Sequence, residues 1–256
     1  MAPNTELEPP ASSFQPPVPA QRRPTLVERT VALLEVLLCS DYPTQFALGA
    51  TFAALGYTPF GAGGRLRLGY VVALSLIDTV ALIGLILMFL SAHGERPRDV
   101  FLGGRPIGRE AIAGLPMTLV ALAIGGVLLA TIQQLAPWLH TVEYNPFLEL
   151  IRTPRDAALF AIVVVVAGGV REEIQRAFLL RRFEAWLGGG AVGVVVASSA
   201  FGAGHLLQGA DAAITTGLLG AFWAVVYLRR RSAVAPIVSH SCFNVLELVQ
   251  FFALGR

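Results

Sequence analysis

The chain has few charged side chains, no lysine and only two cysteines. Charged residues make up 14% of its 256 residues, whereas a soluble domain carries about 25%. Much of the surface is therefore predicted to face lipid. All basic residues are arginines, which is typical of a GC-rich genome and indicates no mechanism. No basic stripe is interleaved with aromatic residues, which argues against a nucleic-acid partner. Cys39 and Cys242 lie in apolar stretches and are too few for a disulfide framework.

Long apolar segments dominate the rest of the chain. A helix needs about 17–25 such residues to cross a bilayer. The fold class is therefore predicted to be all-α, a polytopic transmembrane helix bundle with about seven membrane helices (between six and eight). Six spans are predicted at 68–91, 110–136, 156–180, 191–208, 211–228 and 233–254. A seventh, between about 30 and 58, is divided by Tyr42-Pro43, so it is either one kinked span or a surface helix followed by a span.

The N-terminus and the arginines predict how the chain is placed in its membrane. Residues 1–28 contain seven prolines and are predicted to be a disordered cytoplasmic tail, followed by N-terminal membrane helices over 29–100. Arginines concentrate in the loop 92–109, at 181–182 and at 229–231. Because cytoplasmic loops are rich in Arg and Lys, these three are predicted to lie on the cytoplasmic side with the N-terminus. Arg65, Arg67, Arg152 and Arg155 oppose this topology.

Three polar clusters interrupt apolar helices in the second half of the chain. They are Glu172-Glu173 with Arg176, His205 four residues after Phe201, and His240 four residues before Asn244. Ionisable groups in a bilayer cost about 2.5–3.5 kcal/mol each, so they are retained mainly where they have a function.

Helix rise places these clusters at a similar depth. Glu172 precedes Arg181 by nine positions and His240 follows Arg231 by nine, so both are predicted about 13–14 Å from the cytoplasmic boundary. His205 lies about 22 Å of helix beyond Gly190, and reaches the same level only if that helix starts outside the hydrocarbon core or tilts. The clusters are therefore predicted to meet near the midplane.

The residue types suit the activation of water against a carbonyl. Arg176 can pair with Glu172 or Glu173, which are four and three residues away on one helix face. The carboxylate left unpaired could accept a proton from water, and His240 and Asn244 could donate hydrogen bonds to an oxyanion. Alternatively, the charged cluster around Glu172 forms a solvated helix end, His205 packs between helices, and His240 with Asn244 is a polar clamp.

Together these residues resemble the CPBP family of intramembrane proteases, which includes CAAX prenyl proteases and bacteriocin-processing enzymes. Phe201…His205 and His240…Asn244 match the family's Phe-x-x-x-His and His-x-x-x-Asn motifs. The resemblance covers roughly residues 100–255 and implies a CPBP-like catalytic membrane domain over 101–256. It also implies a multi-pass protein of the bacterial inner membrane, surrounded by the lipid bilayer. The implied substrate is a membrane-anchored protein or peptide, with or without a CAAX-type lipid.

The first motif departs from the family pattern. The family usually has Glu-Glu-x-x-x-Arg, whereas this chain has Glu-Glu-x-x-Arg, one residue shorter. With the first glutamate as base, as in the family, Glu172 takes that role and Glu173 pairs with Arg176. With the alignment anchored on Arg176 instead, Arg171 falls at the place of the base, and catalysis is impaired or shifts to Glu173.

The resemblance implies that Glu172 and His205 activate water while His240 and Asn244 hold the oxyanion. No metal or other cofactor is favoured; a zinc ion, if one takes part, would be bound by Glu172, His205 and His240. Two other functions stay open, an inert membrane scaffold or bacteriocin-immunity protein of the same fold, and a proton-coupled transporter that uses Asp78. A serine dyad of Ser198 or Ser199 with His240 is disfavoured, because no Gly-x-Ser-x-Gly turn is present.

Overall fold

The computed structural model describes residues 23–143 and 145–254, and these form a bundle of α-helices without a β-strand. The α-helices of this part of the chain are α1 (Leu26–Leu38), α2 (Tyr42–Ala54), α3 (Leu68–Ala92), α4 (Pro97–Phe101), α5 (Ile107–Leu135), α6 (Pro154–Val163), α7 (Glu172–Trp186), α8 (Gly190–Ala203), α9 (Ala210–Arg230) and α10 (Val234–Leu254). Short 3₁₀ turns lie at Ala62–Gly64, Pro137–Leu139, Leu148–Leu150 and Leu206–Gln208. The predicted all-α membrane bundle is confirmed.

Four of the described helices, α3, α5, α9 and α10, are long and apolar enough to cross a membrane. They coincide with the spans predicted at 68–91, 110–136, 211–228 and 233–254. Within a bilayer, a helix is favoured because it satisfies every backbone polar group internally. The remaining predicted spans take other forms, so the structure has fewer regular membrane helices than the predicted seven.

The span predicted at 156–180 is a composite. α6 begins after Thr153, whose side chain accepts a hydrogen bond from the backbone of Asp156 in a capping box. The π-helical segment Val164–Arg171 then joins α6 to α7 without a gap. Two glycines in that segment, Gly168 and Gly169, lie against α10, where a Cβ on Gly169 would come within 3.0 Å of Cα of Ser241. The close approach of α10 brings the polar residues of both helices together.

The span predicted at 191–208 is shorter than expected. α8 ends at Ala203 after 14 residues, and His205 lies in the turn that follows it. Gly204 and Gly209 border this turn, and Gly209 has a φ of 115°, a conformation that glycine adopts without strain. His205 is therefore at the end of a helix, and the prediction that placed it within a longer helix is wrong.

The segment predicted between 30 and 58 forms two helices of 13 residues each, α1 and α2. Each is about 20 Å long, too short to cross a hydrocarbon core of about 30 Å alone. The break lies just before the predicted one, because Pro43 is accommodated in the first turn of α2. The predicted tail, residues 1–28, lies outside the described residues up to position 22, and α1 begins at Leu26.

Ion pairs join the arginine-bearing loops at one end of the bundle. Arg181 and Arg182 both pair with Glu95, which follows α3. Arg231, which follows α9, pairs with Glu184 of α7. The three arginine-rich segments therefore share one end, as the arginine placement predicts, although Arg181 and Arg182 lie within α7 and not in a turn. The opposite end is formed by the loops near residues 60–66, 146–152 and 204–209.

Candidate active site

The glutamate pair begins α7 and is enclosed by the bundle. Glu173 is 1% exposed and forms an ion pair with Arg176. This i,i+3 pairing corresponds to the alignment in which Arg176 pairs with Glu173, so that Glu172 does not have Arg176 as its partner. Because Arg171, Glu173 and Arg176 are all buried, the alternative of a solvated helix end is wrong.

His240 of α10 contacts both glutamates. Its Nδ1 lies 2.8 Å from Oε1 of Glu173, and its Nε2 lies 3.8 Å from Oε2 of Glu172. An ionised carboxylate only accepts hydrogen bonds, so Nδ1 is the donor to Glu173. Glu173 thereby fixes the ring of His240 with its Nε2 directed towards Glu172.

Aromatic side chains enclose this polar group. The ring of His240 stacks on Trp223 at a centroid distance of 3.9 Å. The ring of Phe201 is nearly perpendicular to that of His240, and their centroids are 6.1 Å apart. The guanidinium of Arg176 lies over Phe201 at 4.7 Å. Trp223 donates from Nε1 to Oγ of Ser239 at 3.1 Å, so its polar edge is satisfied as well. Sequence reasoning missed Trp223, because a tryptophan in an apolar helix is usually a packing residue.

Two of the predicted site residues do not contact the glutamates. Nδ1 of His205 donates to the carbonyl oxygen of Phe201 at 2.8 Å, which leaves Nε2 as an acceptor. Asn244 donates from Nδ2 to the carbonyl oxygen of Val164 at 3.0 Å and therefore is turned away from His240. Within the described residues, neither side chain forms a hydrogen bond with Glu172.

A cavity of about 790 Å³ connects Glu172 with His205. Both residues line it, together with Arg176 and Phe201. Loop residues 63–66 and 146–152 also line the cavity, at the end of the bundle opposite the arginine-bearing loops. Glu172 keeps 15% of its side chain exposed there, whereas Glu173 keeps 1%.

Residues 154–246 match the sequence model of the Rce1-like family, the type II CAAX prenyl endopeptidases. The similarity covers 93 of the chain's 256 residues, and these 93 residues are called the Rce1-like segment. The match confirms the resemblance to the CPBP and CAAX proteases that the motifs indicate. It supports a membrane-embedded endopeptidase with a membrane-associated protein as substrate. No curated protein and no solved structure shows a significant match to the chain.

The Rce1-like segment runs from the start of α6 into α10, ending at residue 246, and contains all six predicted site residues. They are Glu172, Glu173, Arg176, His205, His240 and Asn244. The predicted domain boundary at residue 101 is not tested by the match and stays a prediction.

Residues outside the Rce1-like segment also reach the site, and sequence reasoning missed them. Arg171 is buried and pairs with Asp41, at the break between α1 and α2, and with Asp78 of α3. Its Nη2 lies 3.4 Å from Oε1 of Glu172. The sequence predicted a role for Asp78 only in the alternative of a proton-coupled transporter. For Asp41, the second partner of Arg171, the signal in the sequence was an acidic residue two positions before Pro43 in an apolar stretch.

The described residues do not fit a zinc site. No group of three His, Cys, Asp or Glu side chains among them is arranged to hold a metal ion. The hydrogen bonds of His240 to Glu173 and of His205 to the carbonyl of Phe201 engage only Nδ1 of each ring, which metal-binding histidines also show, so zinc is disfavoured by the spacing of the side chains and not by these bonds. No step of the reaction is therefore derived through a metal.

Proposed function

We propose that the protein is an intramembrane endopeptidase that cleaves a membrane-anchored, CAAX-type or otherwise lipidated protein with a glutamate-activated water. One observation carries the proposal. Of the two adjacent glutamates, Glu172 alone faces the cavity, and Nε2 of His240 lies 3.8 Å from it. A partly buried carboxylate beside a cavity is a suitable general base.

The proposed reaction assigns a role to each polar group. Glu172 takes a proton from water as the water oxygen attacks the scissile carbonyl carbon. Nε2 of His205, free as an acceptor, holds the second hydrogen of that water. His240 in its imidazolium form, held at Nδ1 by Glu173, donates from Nε2 to the oxyanion. When the C–N bond breaks, Glu172 returns its proton to the leaving amine, which yields a carboxylic acid and an amine.

Arg176 and Asn244 have supporting roles in this proposal. Arg176 neutralises Glu173 and keeps that carboxylate fixed against His240. The one-residue shortening of the first motif thus still allows the Arg176–Glu173 pair. Asn244 uses one Nδ2 hydrogen for the carbonyl of Val164 and would donate the second to the oxyanion.

Cleavage of a quenched CAAX-type peptide by the full-length protein in detergent tests the proposal. We expect Glu172→Gln to lower kcat by about 10²–10⁴-fold, the usual contribution of a general base. Glu247→Gln is a matched control, since Glu247 is an exposed glutamate of α10 that does not line the cavity. Wild-type rates in Glu172→Gln, or equal losses in both variants, would rule out Glu172 as the base.

An inert scaffold or immunity protein of the same fold is the second candidate. The shortened first motif favours it, and so does the hydrogen bond that turns Asn244 away from His240. This candidate predicts that Glu172→Gln leaves the cellular phenotype unchanged and that the wild-type protein cleaves none of the membrane-anchored substrates offered.

We also propose that the arginine-rich end of the bundle faces the cytoplasm of a bacterial cell, with the N-terminus on that side. The cavity, which reaches the opposite end, would then receive substrate from the extracytoplasmic side. Single cysteines introduced at Arg105 and Arg152 test this orientation in intact cells with a membrane-impermeant thiol reagent. Labelling at Arg152→Cys alone is expected, and labelling at Arg105→Cys alone would reverse the orientation.

A further inference from the structure

Arg171 lies at the centre of a buried ionic cluster beside the candidate site. Its Nη1 donates to Asp41 and to Oδ2 of Asp78, and its Nη2 lies 3.4 Å from Oε1 of Glu172. The side chain of Arg171 is 6% exposed, and that of Asp78 is fully buried. One guanidinium therefore contacts three carboxylates that come from three separate parts of the chain.

Two of the three carboxylates, those of Asp41 and Asp78, come from outside the Rce1-like segment. Asp78 lies in α3, and Asp41 lies at the break between α1 and α2 with a φ of 80°. A residue with a side chain keeps this left-handed conformation only where its surroundings hold it. Gln45 donates to Oδ2 of Asp41 at 2.6 Å, and the hydroxyl of Tyr42 donates to the carbonyl of Ala200 at 2.8 Å. The break is thus tied to α8, next to the cavity.

The cluster contains more acidic groups than a structural ion pair requires. A buried carboxylate costs free energy unless it is paired, and one carboxylate is enough to pair with Arg171. Oδ1 of Asp78 has no hydrogen-bond partner among the residues that the structure describes. Acidic groups that are kept in a membrane interior at such a cost generally serve a function.

The geometry at Glu172 indicates what this function is. Arg171 contacts Oε1 of Glu172, while Oε2 faces Nε2 of His240 at 3.8 Å. A guanidinium whose Nη1 is held by both Asp41 and Asp78 cannot follow Glu172 if the carboxylate rotates. It therefore fixes the direction in which the second carboxylate oxygen points.

We propose that Asp41 and Asp78 clamp Arg171, and that Arg171 in turn positions the carboxylate of Glu172 for its work as the base. The inference rests on the proposed function and adds three positioning residues to it. It also implies that α3 and the break between α1 and α2 are parts of the site, although they lie outside the Rce1-like segment.

Kinetics of clamp variants of the full-length protein test the proposal. Asp78→Asn should lower kcat by about 10- to 100-fold, the usual effect of a small misplacement of a catalytic group, and should leave KM within about twofold, since Asp78 does not line the cavity. Arg171→Lys should retain more activity than Arg171→Gln because it keeps the charge. Asp78→Asn should add little to the loss in Arg171→Gln, because the two residues act through one contact.

Glu35→Gln is the matched control. Glu35 is a buried acid of α1 that pairs with Arg182, and Glu95 is a second acid on the same guanidinium, at the arginine-rich end of the bundle. This variant should lower the unfolding temperature and leave kcat within about twofold, since its cluster does not border the cavity. Equal effects on kcat in Glu35→Gln and Asp78→Asn would show that Asp78 contributes to stability alone, and would overturn the proposal.

A second measurement is independent of peptidase activity. A hydrophobic carbodiimide modifies carboxyl groups within membranes, and mass spectrometry reports the rate at Glu172. We expect a several-fold faster modification of Glu172 in Arg171→Gln than in the wild type or Glu35→Gln, because Glu172 no longer lies against a guanidinium, and a smaller increase in Asp78→Asn, where Arg171 remains but is held by Asp41 alone. Equal rates in all four proteins would overturn the clamp. If the wild type cleaves no substrate, the proposed function fails, and the modification rates still decide whether the clamp exists.

Discussion

Replacement of Glu173 by glutamine should damage stability far more than the same change at its neighbour Glu172. Glu173 is 1% exposed and pairs with Arg176, whose side chain is 4% exposed. Removal of one partner of a buried ion pair costs about 3–5 kcal/mol, because the other charge stays buried without compensation. A glutamine oxygen can still accept one hydrogen bond from Arg176 or His240, so we expect a loss near the lower bound, about 3 kcal/mol.

Glu172→Gln should change the free energy of unfolding little and kcat strongly. The side chain is 15% exposed to the cavity, and its cation, Arg171, keeps Asp41 and Asp78 as partners. The free energy of unfolding should therefore change by less than about 1 kcal/mol. The lost base should nevertheless lower kcat by about 10²–10⁴-fold.

Both quantities can be measured in the same micelles. Titration with a denaturing detergent gives the free energy of unfolding, where 3 kcal/mol corresponds to a change of more than about 100-fold in the folding equilibrium. Peptide cleavage at saturating substrate gives kcat. Equal destabilisation by the two substitutions would refute the argument from burial, and a wild-type kcat in Glu172→Gln would refute the assignment of the base.

Three further predictions concern helix packing, pH and metal. Gly169→Ala should lower the free energy of unfolding by about 1–3 kcal/mol, since the added Cβ would overlap Ser241 of α10. It should also lower kcat by displacing His240. Gly126→Ala, which has open space around the added Cβ, should not lower the free energy of unfolding in the same assay. Burial raises the pKa of Glu95, but hydrogen bonds from its two arginine partners outweigh this effect and leave that pKa below the ordinary 4.5. The stabilisation from Glu95 is therefore present above pH 4.5 and is lost as the pH falls through the lowered pKa; Glu95→Gln should flatten this part of the curve of unfolding temperature against pH. Peptidase activity should be unaffected by a zinc chelator, and loss with the chelator that is restored by added zinc would contradict the metal-free mechanism.

Local sequence features predicted the parts of the site that depend on helix geometry. The pairing of Glu173 with Arg176 follows from a spacing of three residues on one helix face. The meeting of Glu172 with His240 agrees with the equal distance of each from an arginine-marked boundary, converted to depth by the helical rise. Apolar run length likewise predicted α3, α5, α9 and α10 to within a few residues.

Features that depend on the packing of separate helices could not be predicted in this way. The turn that ends α8 two residues before His205 shifts this side chain out of the regular helix. The π-helical segment before Glu172 leaves the carbonyl of Val164 to accept from Asn244. Neither departure has a clear signal in hydrophobic periodicity, which describes one helix at a time.

The sequence by itself determined the membrane environment, the approximate spans and the six polar residues of the candidate site, because lipid burial demands long apolar runs and makes each exception conspicuous. The tertiary structure alone decided which glutamate faces the cavity and which is enclosed, since burial depends on what packs around the helix. It also decided that Arg171 joins Asp41 and Asp78, which lie 130 and 93 residues before it in the chain. Contacts over such separations are produced only by the folded arrangement of the helices.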